Sequence, residues 1–80
     1  MKIYVGNLPY SINQDDLKEL FTPFGEVLDV FIVMDRETRR SRGYGFVEMS
    51  DENAKKSIEE LNGKEVGGRT IVVNEARPKN

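Results

Sequence analysis

Two hydrophobic periods alternate along the chain. Lys2-Ile3-Tyr4-Val5-Gly6 has period two, with Ile3 and Val5 on one side and Lys2 and Tyr4 on the other, as in a half-buried strand. Asn7-Leu8-Pro9-Tyr10 breaks it as a loop. The period then becomes helical over 14–24, where Leu17, Leu20, Phe21 and Phe24 form one apolar stripe. Asn13 stands at the N-cap, and Asp15 and Asp16 suit the unpaired N–H groups of the first turn. Pro23 crowds the last turn and Gly25 closes it. Residues 27–34 predict a second strand rich in branched side chains, with Leu28, Val30, Ile32 and Met34 on the apolar side and Asp29, Phe31 and Val33 opposite. Val27 is apolar out of phase, which predicts a bulge or a late strand start beside it.

An arginine-rich loop, 36–41, leads to a third strand over 42–49. There Arg42, Tyr44, Phe46 and Glu48 share one face, and Gly43, Gly45, Val47 and Met49 the other. The two glycines are expected on a covered face, where missing side chains let a helix approach. Ser50 or Asp51 caps a second helix over 51–62, with Ala54, Ile58 and Leu61 inward and Asn62-Gly63 as its stop. A short hairpin or turn around Gly67-Gly68 occupies 64–69. A fourth strand over 70–75 turns Ile71 and Val73 inward, Val72 and Asn74 outward. Strand, helix, strand, strand, helix, strand is a doubled β-α-β unit. Right-handed crossovers then place both helices on one face of a four-stranded antiparallel sheet. The expected fold is therefore α+β, a ferredoxin-like β-α-β-β-α-β sandwich. It forms one domain over 1–80, with a core over 2–76 and a short tail over 77–80.

That geometry leaves the other sheet face open, and aromatics fall on it: Tyr4, Phe31, Tyr44 and Phe46. An aromatic in a strand is ordinarily core or a shield over a sheet. Arg42 and Glu48, however, share the face with Tyr44 and Phe46, and such charges are almost never buried unpaired. Rings held at a water-facing surface imply that something flat stacks on them, most simply a nucleobase.

The chain's net charge of −2 works against a nucleic-acid partner until its distribution is considered. The two helical segments hold seven acids and three lysines, a net of −4, so the remainder carries +2. The acidity therefore belongs to the helix side of the sheet, away from the aromatics. With no cysteine and no histidine there is no disulfide, no thiolate or imidazole metal site and no usual general base. Asp15/Asp16 and Glu59/Glu60 read as solvated helix faces rather than metal ligands, and Gly43-Tyr44-Gly45 lacks the Gly-Lys-Ser/Thr of a phosphate loop. No catalytic constellation, metal or cofactor is expected. No long apolar run, apolar leader or lipidation signal is present, so a soluble, cytoplasmic protein is expected. Met1 directly before the first strand favours a whole protein over an excised domain.

Arg42-Gly43-Tyr44-Gly45-Phe46-Val47-Glu48-Met49 resembles the strand-three octamer of the RNA recognition motif, with Met49 where Phe or Tyr is more usual. Ile3-Tyr4-Val5-Gly6-Asn7-Leu8 resembles the companion hexamer on strand one. The likeness extends over residues 2–78, and the chain is also similar to stand-alone single-motif proteins of bacteria and to the motif half of glycine-rich RNA-binding proteins. The resemblance implies a single-stranded RNA partner, with single-stranded DNA left open. It implies that Tyr4 and Tyr44 stack bases, that Phe46 packs against a base or ribose, and that Arg42 reaches a phosphate. Asn74, Glu75, Ala76 and Arg77 would lie where relatives read base edges. Lys2, Arg40 and Arg77 are candidate phosphate contacts beside an otherwise solvated arginine run. Phe31, bulkier than the polar residue expected there, either extends the platform or covers the sheet edge. Arg39 follows Thr38 where relatives often have glycine, so the loop is expected to turn differently.

A monomer is expected, with micromolar affinity for a short site and an RNA-chaperone or post-transcriptional regulatory role. The alternative of a different class is a protein-interaction module on the same fold, usual in the family when the ring positions are replaced. An acyl-phosphate-cleaving enzyme on a similar sandwich would need an anion cradle, and the Asn7-Leu8-Pro9 loop has no arginine for one.

Overall fold

A computed structural model describes residues 1–37 and 41–76, with Ser41 and Arg42 described by their backbone alone. The elements run β1 (Lys2–Gly6), α1 (Gln14–Phe21), a 3₁₀ turn (Thr22–Phe24), β2 (Val27–Met34), β3 (Ser41–Met49), α2 (Asp51–Leu61), β4 (Glu65–Val66), β5 (Arg69–Thr70) and β6 (Val72–Glu75). The main sheet has the order β2-β3-β1-β6, and every neighbouring pair is antiparallel. β1 and β2 thus flank β3, and β3 and β6 flank β1, so α1 and α2 are the two crossovers.

Helix α1 starts at a reciprocal cap. The Asp16 N–H donates to Asn13 Oδ1 (2.8 Å) and the Asn13 N–H to Asp16 Oδ2 (3.2 Å). Its regular turns stop at Phe21, three residues short of the predicted end, because Pro23 cannot donate to a continuing helix. Leu17 and Phe21 are wholly buried, whereas Leu20 and Phe24 pack half-buried against the core. On α2, Ala54 and Leu61 are buried and Ile58 partly so. Ser57 is buried as well, its hydroxyl donating to the Ala54 carbonyl (2.8 Å). With Ile3, Val5, Ile32, Val47, Met49, Ile71 and Val73 these side chains form one core between the helices and a single sheet face.

The predicted fourth strand divides. Arg69–Thr70 pairs back with Glu65–Val66 as the hairpin, and Val72–Glu75 joins β1. Ile71 between them is buried, and Asn62, just past α2, accepts from the Val73 N–H through Oδ1 (3.0 Å).

Strand β2 departs most from its pattern. Ile32 is buried and Val30 half-buried, but Leu28 (58%) and Met34 (51%) are exposed, against the expectation that all four face inward. The register explains Leu28: Val27 pairs with Met49 and Asp29 with Glu48, so Leu28 is the extra residue of a bulge and is turned out. Val27 takes its place against the core. At the other end Ile32 pairs with Gly45 and Met34 with Ser41, so β3 carries two extra residues around Gly43, whose φ is +85°. Met34 lies beyond that irregularity, where inward packing has ended.

The β3 glycines also have a different cause from the one expected. A Cβ on Gly45 would strike the carbonyl oxygen of Phe31 and lie 3.1 Å from Ile32 Cα; the close neighbour is the backbone of β2, not a helix. Gly43 is there for its left-handed backbone.

Candidate nucleic-acid interface

The face of the sheet away from the helices is built around three rings. Tyr4 sits mid-strand on β1, and Tyr44 and Phe46 two residues apart on β3, so the pleat sends all three the same way. The Tyr4 centroid is 6.0 Å from both Tyr44 and Phe46, and Tyr44 and Phe46 are 6.3 Å apart, edge to face. Tilted contacts at these distances stabilise each pair by about 0.5–1.5 kcal/mol, so the cluster holds itself in place, each ring half-buried.

The ladder pairs extend this cluster into a line. Phe31 on β2 pairs with Phe46 on β3, Phe46 with Tyr4 on β1, and Tyr4 with Asn74 on β6. One row therefore crosses all four strands, about 14 Å at the usual strand spacing. Three of its members are aromatic and the fourth is an amide able to donate and accept. Phe31 is the most open of the rings, 55% exposed.

A second row, Asp29–Glu48–Lys2, runs parallel to the first. Lys2 Nζ stands 5.2 Å from the Phe46 centroid, within cation–π range. Asp29 Oδ1 accepts from the Val30 N–H (2.9 Å). Together with Phe31 and Phe46 these residues line an open depression of about 260 Å³. Two exposed carboxylates beside one ammonium make this row locally acidic, a feature that reading each strand alone had not revealed.

Residues 3–72 match the RNA recognition motif. The chain belongs to that family. Membership places it among RNA-binding proteins rather than enzymes. It is 51% identical over 80 residues to RbpE of Nostoc sp., covering 99% of this chain and 81% of that protein. It is 49% identical over 79 residues to glycine-rich RNA-binding protein 8 of Arabidopsis thaliana, covering 98% of this chain and 47% of the relative. The chain thus spans about half the length of the plant proteins it matches first. The crystal structure of RNA-binding protein PG1 superposes with a TM-score of 0.91 at 50% identity, covering 99% of each chain. The motif of Rna15 with bound GU RNA superposes with a TM-score of 0.87 at 28% identity, covering 99% of this chain and 85% of that one.

Of the residues singled out in the sequence, Lys2, Tyr4, Phe31, Tyr44, Phe46 and Asn74 all come together on this face. Arg40, Arg77 and the side chain of Arg42 lie outside the described residues, as does the Thr38-Arg39 step. Glu75 pairs with Ile3 and so stands on the opposite face from Asn74. Among the described residues no group of His, Cys, Asp or Glu could hold a metal ion, and no helix is long and apolar enough to cross a membrane. Tyr10, 65% exposed in the loop after β1, was not singled out in the sequence, although it belongs to no apolar stripe there.

Proposed function

We propose that the outer sheet face binds a short stretch of single-stranded RNA by base stacking, without catalysis and as a monomer. The observation that carries this reading is the mutually packed Tyr4–Tyr44–Phe46 cluster on a face that no other part of the described chain covers. Bases would stack on Tyr4 and Tyr44, Phe46 would pack a base or ribose, and Phe31 would extend the platform toward β2. Lys2 would meet a phosphate, with Arg40, Arg42 and Arg77 as further phosphate contacts, and Asn74 would read a base edge. Rna15's bound RNA supports the choice of ligand by analogy.

Three stacked bases contribute about 1–3 kcal/mol each before ordering costs, and the upper part of that range corresponds to micromolar affinity. Weak, sequence-tolerant binding suits a chaperone-like role that keeps RNA strands open, with multivalency or a long footprint supplying avidity. The test is fluorescence anisotropy of a labelled, randomised RNA octamer titrated with wild type and Tyr44→Ala/Phe46→Ala. Micromolar binding that collapses in the double variant is the expected result. Undiminished binding by the double variant overturns stacking on the sheet.

A further inference from the structure

The most exposed large apolar side chain among the described residues is Tyr10, and it belongs to a small assembly of its own. Arg69, on the β4–β5 hairpin, places its guanidinium 5.6 Å from the Tyr10 ring centroid. Its Nη2 donates to Asn7 Oδ1 (2.8 Å), and Asn7 Nδ2 donates to the Thr70 carbonyl (2.7 Å). These bonds hold Asn7 at φ +57°, the sole non-glycine positive φ among the described residues. Asparagine adopts this left-handed conformation more readily than other residues with a side chain, and its two side-chain bonds fix the direction in which Leu8, Pro9 and Tyr10 leave β1. The loop is tied on two further sides. The Leu8 N–H donates to the Gly43 carbonyl (2.8 Å), and a Cβ on Gly67 would lie 3.0 Å from Pro9 Cγ.

The assembly stands at the end of the sheet where β1 leaves and β3 enters. A Cβ on Gly43 would lie 3.7 Å from Tyr10 Cε1, and Gly43 directly precedes Tyr44 of the ring cluster. The chemistry repeats that of the cluster's other end. There Lys2 stands over Phe46; here Arg69 stands over Tyr10. Arg69 makes no ion pair among the described residues, so its charge is available to an anion. With the guanidinium on one side and 65% of its surface open, the tyrosine presents its other side to a planar ligand.

We infer that Tyr10 and Arg69 form an additional nucleotide subsite, in which Tyr10 stacks one base beyond those on the sheet and Arg69 neutralises that nucleotide's phosphate. The inference rests on the RNA-binding reading of the sheet face. It makes the footprint one nucleotide longer than the rings of the sheet define.

The experiment measures affinity against length for randomised-sequence RNA oligomers of increasing length, with wild type, Tyr10→Ala, Tyr10→Phe, Arg69→Gln and Tyr44→Ala/Phe46→Ala. Tyr10→Ala should match wild type on the shortest oligomers that bind and fall roughly five- to a hundredfold behind on longer ones. Tyr10→Phe should retain the wild-type curve, and Arg69→Gln should lower the salt slope on long oligomers by about 0.7. A Tyr10→Ala curve that superposes on wild type at every length, while the double sheet variant loses binding, overturns the subsite and leaves the sheet reading intact. A Tyr10→Ala loss equal at all lengths marks a structural role and likewise overturns it. No binding by folded wild type overturns the sheet reading and the subsite with it.

Discussion

The ring of Tyr4 lies against the backbone of Gly6, two residues along the same strand and on the same face. A Cβ built on Gly6 falls 2.8 Å from Cε1 and Cζ of that ring, and Gly6 is itself buried. Glycine therefore acts as a seat that lets the tyrosine lie down along the sheet. Gly6→Ala should leave the fold intact, since Gly6 is absent from the positive-φ positions, and should tip the ring out of its place. RNA affinity is expected to drop roughly fivefold to tenfold, within the about 1–3 kcal/mol that a whole stacking ring contributes. Combining Gly6→Ala with Tyr4→Ala should add nothing to the loss from Tyr4→Ala alone, because both act through one ring. Additive losses would show that Gly6 serves something other than Tyr4.

Phe31 and Phe46 are direct ladder partners, and Phe31 is the more exposed. A cross-strand pair of this kind stabilises a sheet by about 0.2–1 kcal/mol, so Phe31→Ala should lower the melting temperature by only a few degrees. If the ring extends the platform, the same variant lowers RNA affinity by about 1–3 kcal/mol. Thermal melts and titrations on one preparation separate the two effects. A large fall in melting temperature with unchanged affinity would make Phe31 a cover for the sheet edge.

The order of elements and the aromatic face were legible because both are written in local periodicity. Ile3/Val5, Val47/Met49 and Ile71/Val73 alternate cleanly and are buried as the alternation requires. Tyr4, Tyr44 and Phe46 share strands with charges that must meet water, which betrayed their side. Strand β2 was legible only in part: Val27, apolar out of phase, marked the bulge beside it, but which residue is left unpaired is a relation between two strands, and Leu28 is identified only once Met49 and Glu48 are set opposite its neighbours. The Asp29–Glu48–Lys2 row and the Tyr10–Arg69 pair resisted for the same reason, each joining residues from separate elements.

The space beside Gly45 is closed by backbone, which cannot swing aside as a side chain can. Gly45→Ala would drive a methyl into the Phe31 carbonyl and to 3.1 Å from Ile32 Cα. Parting β2 from β3 is the available relief, at a cost of about 1–3 kcal/mol. Chemical denaturation should record that loss, with hydrogen exchange accelerated in β2 more than in β6. Since the displaced strand carries Phe31, affinity should fall as well. A variant as stable as wild type would mean that β2 retreats freely from this point.

Glu48 has Lys2 on one side and Asp29 on the other, on the face proposed to bind RNA. An exposed carboxylate there repels the phosphate backbone and competes with it for Lys2. Glu48→Gln removes the charge while keeping the side chain's length, and the gain should match the about 0.2–1 kcal/mol typical of exposed charge pairs. Affinity is therefore expected to rise roughly 1.5- to fivefold at low salt, with the advantage fading toward 1 M, where the Debye length is about 3 Å. Lys2→Gln should do the reverse, weakening binding and lowering the salt slope by about 0.7 if the ammonium meets a phosphate. Should Glu48→Gln weaken binding instead, the carboxylate is accepting a hydrogen bond from a base edge rather than repelling the backbone. Replacing the randomised pool by oligomers of single bases then identifies that base: guanine, adenine and cytosine present N–H donors on their pairing edges through amino groups, and uracil through its ring N–H alone.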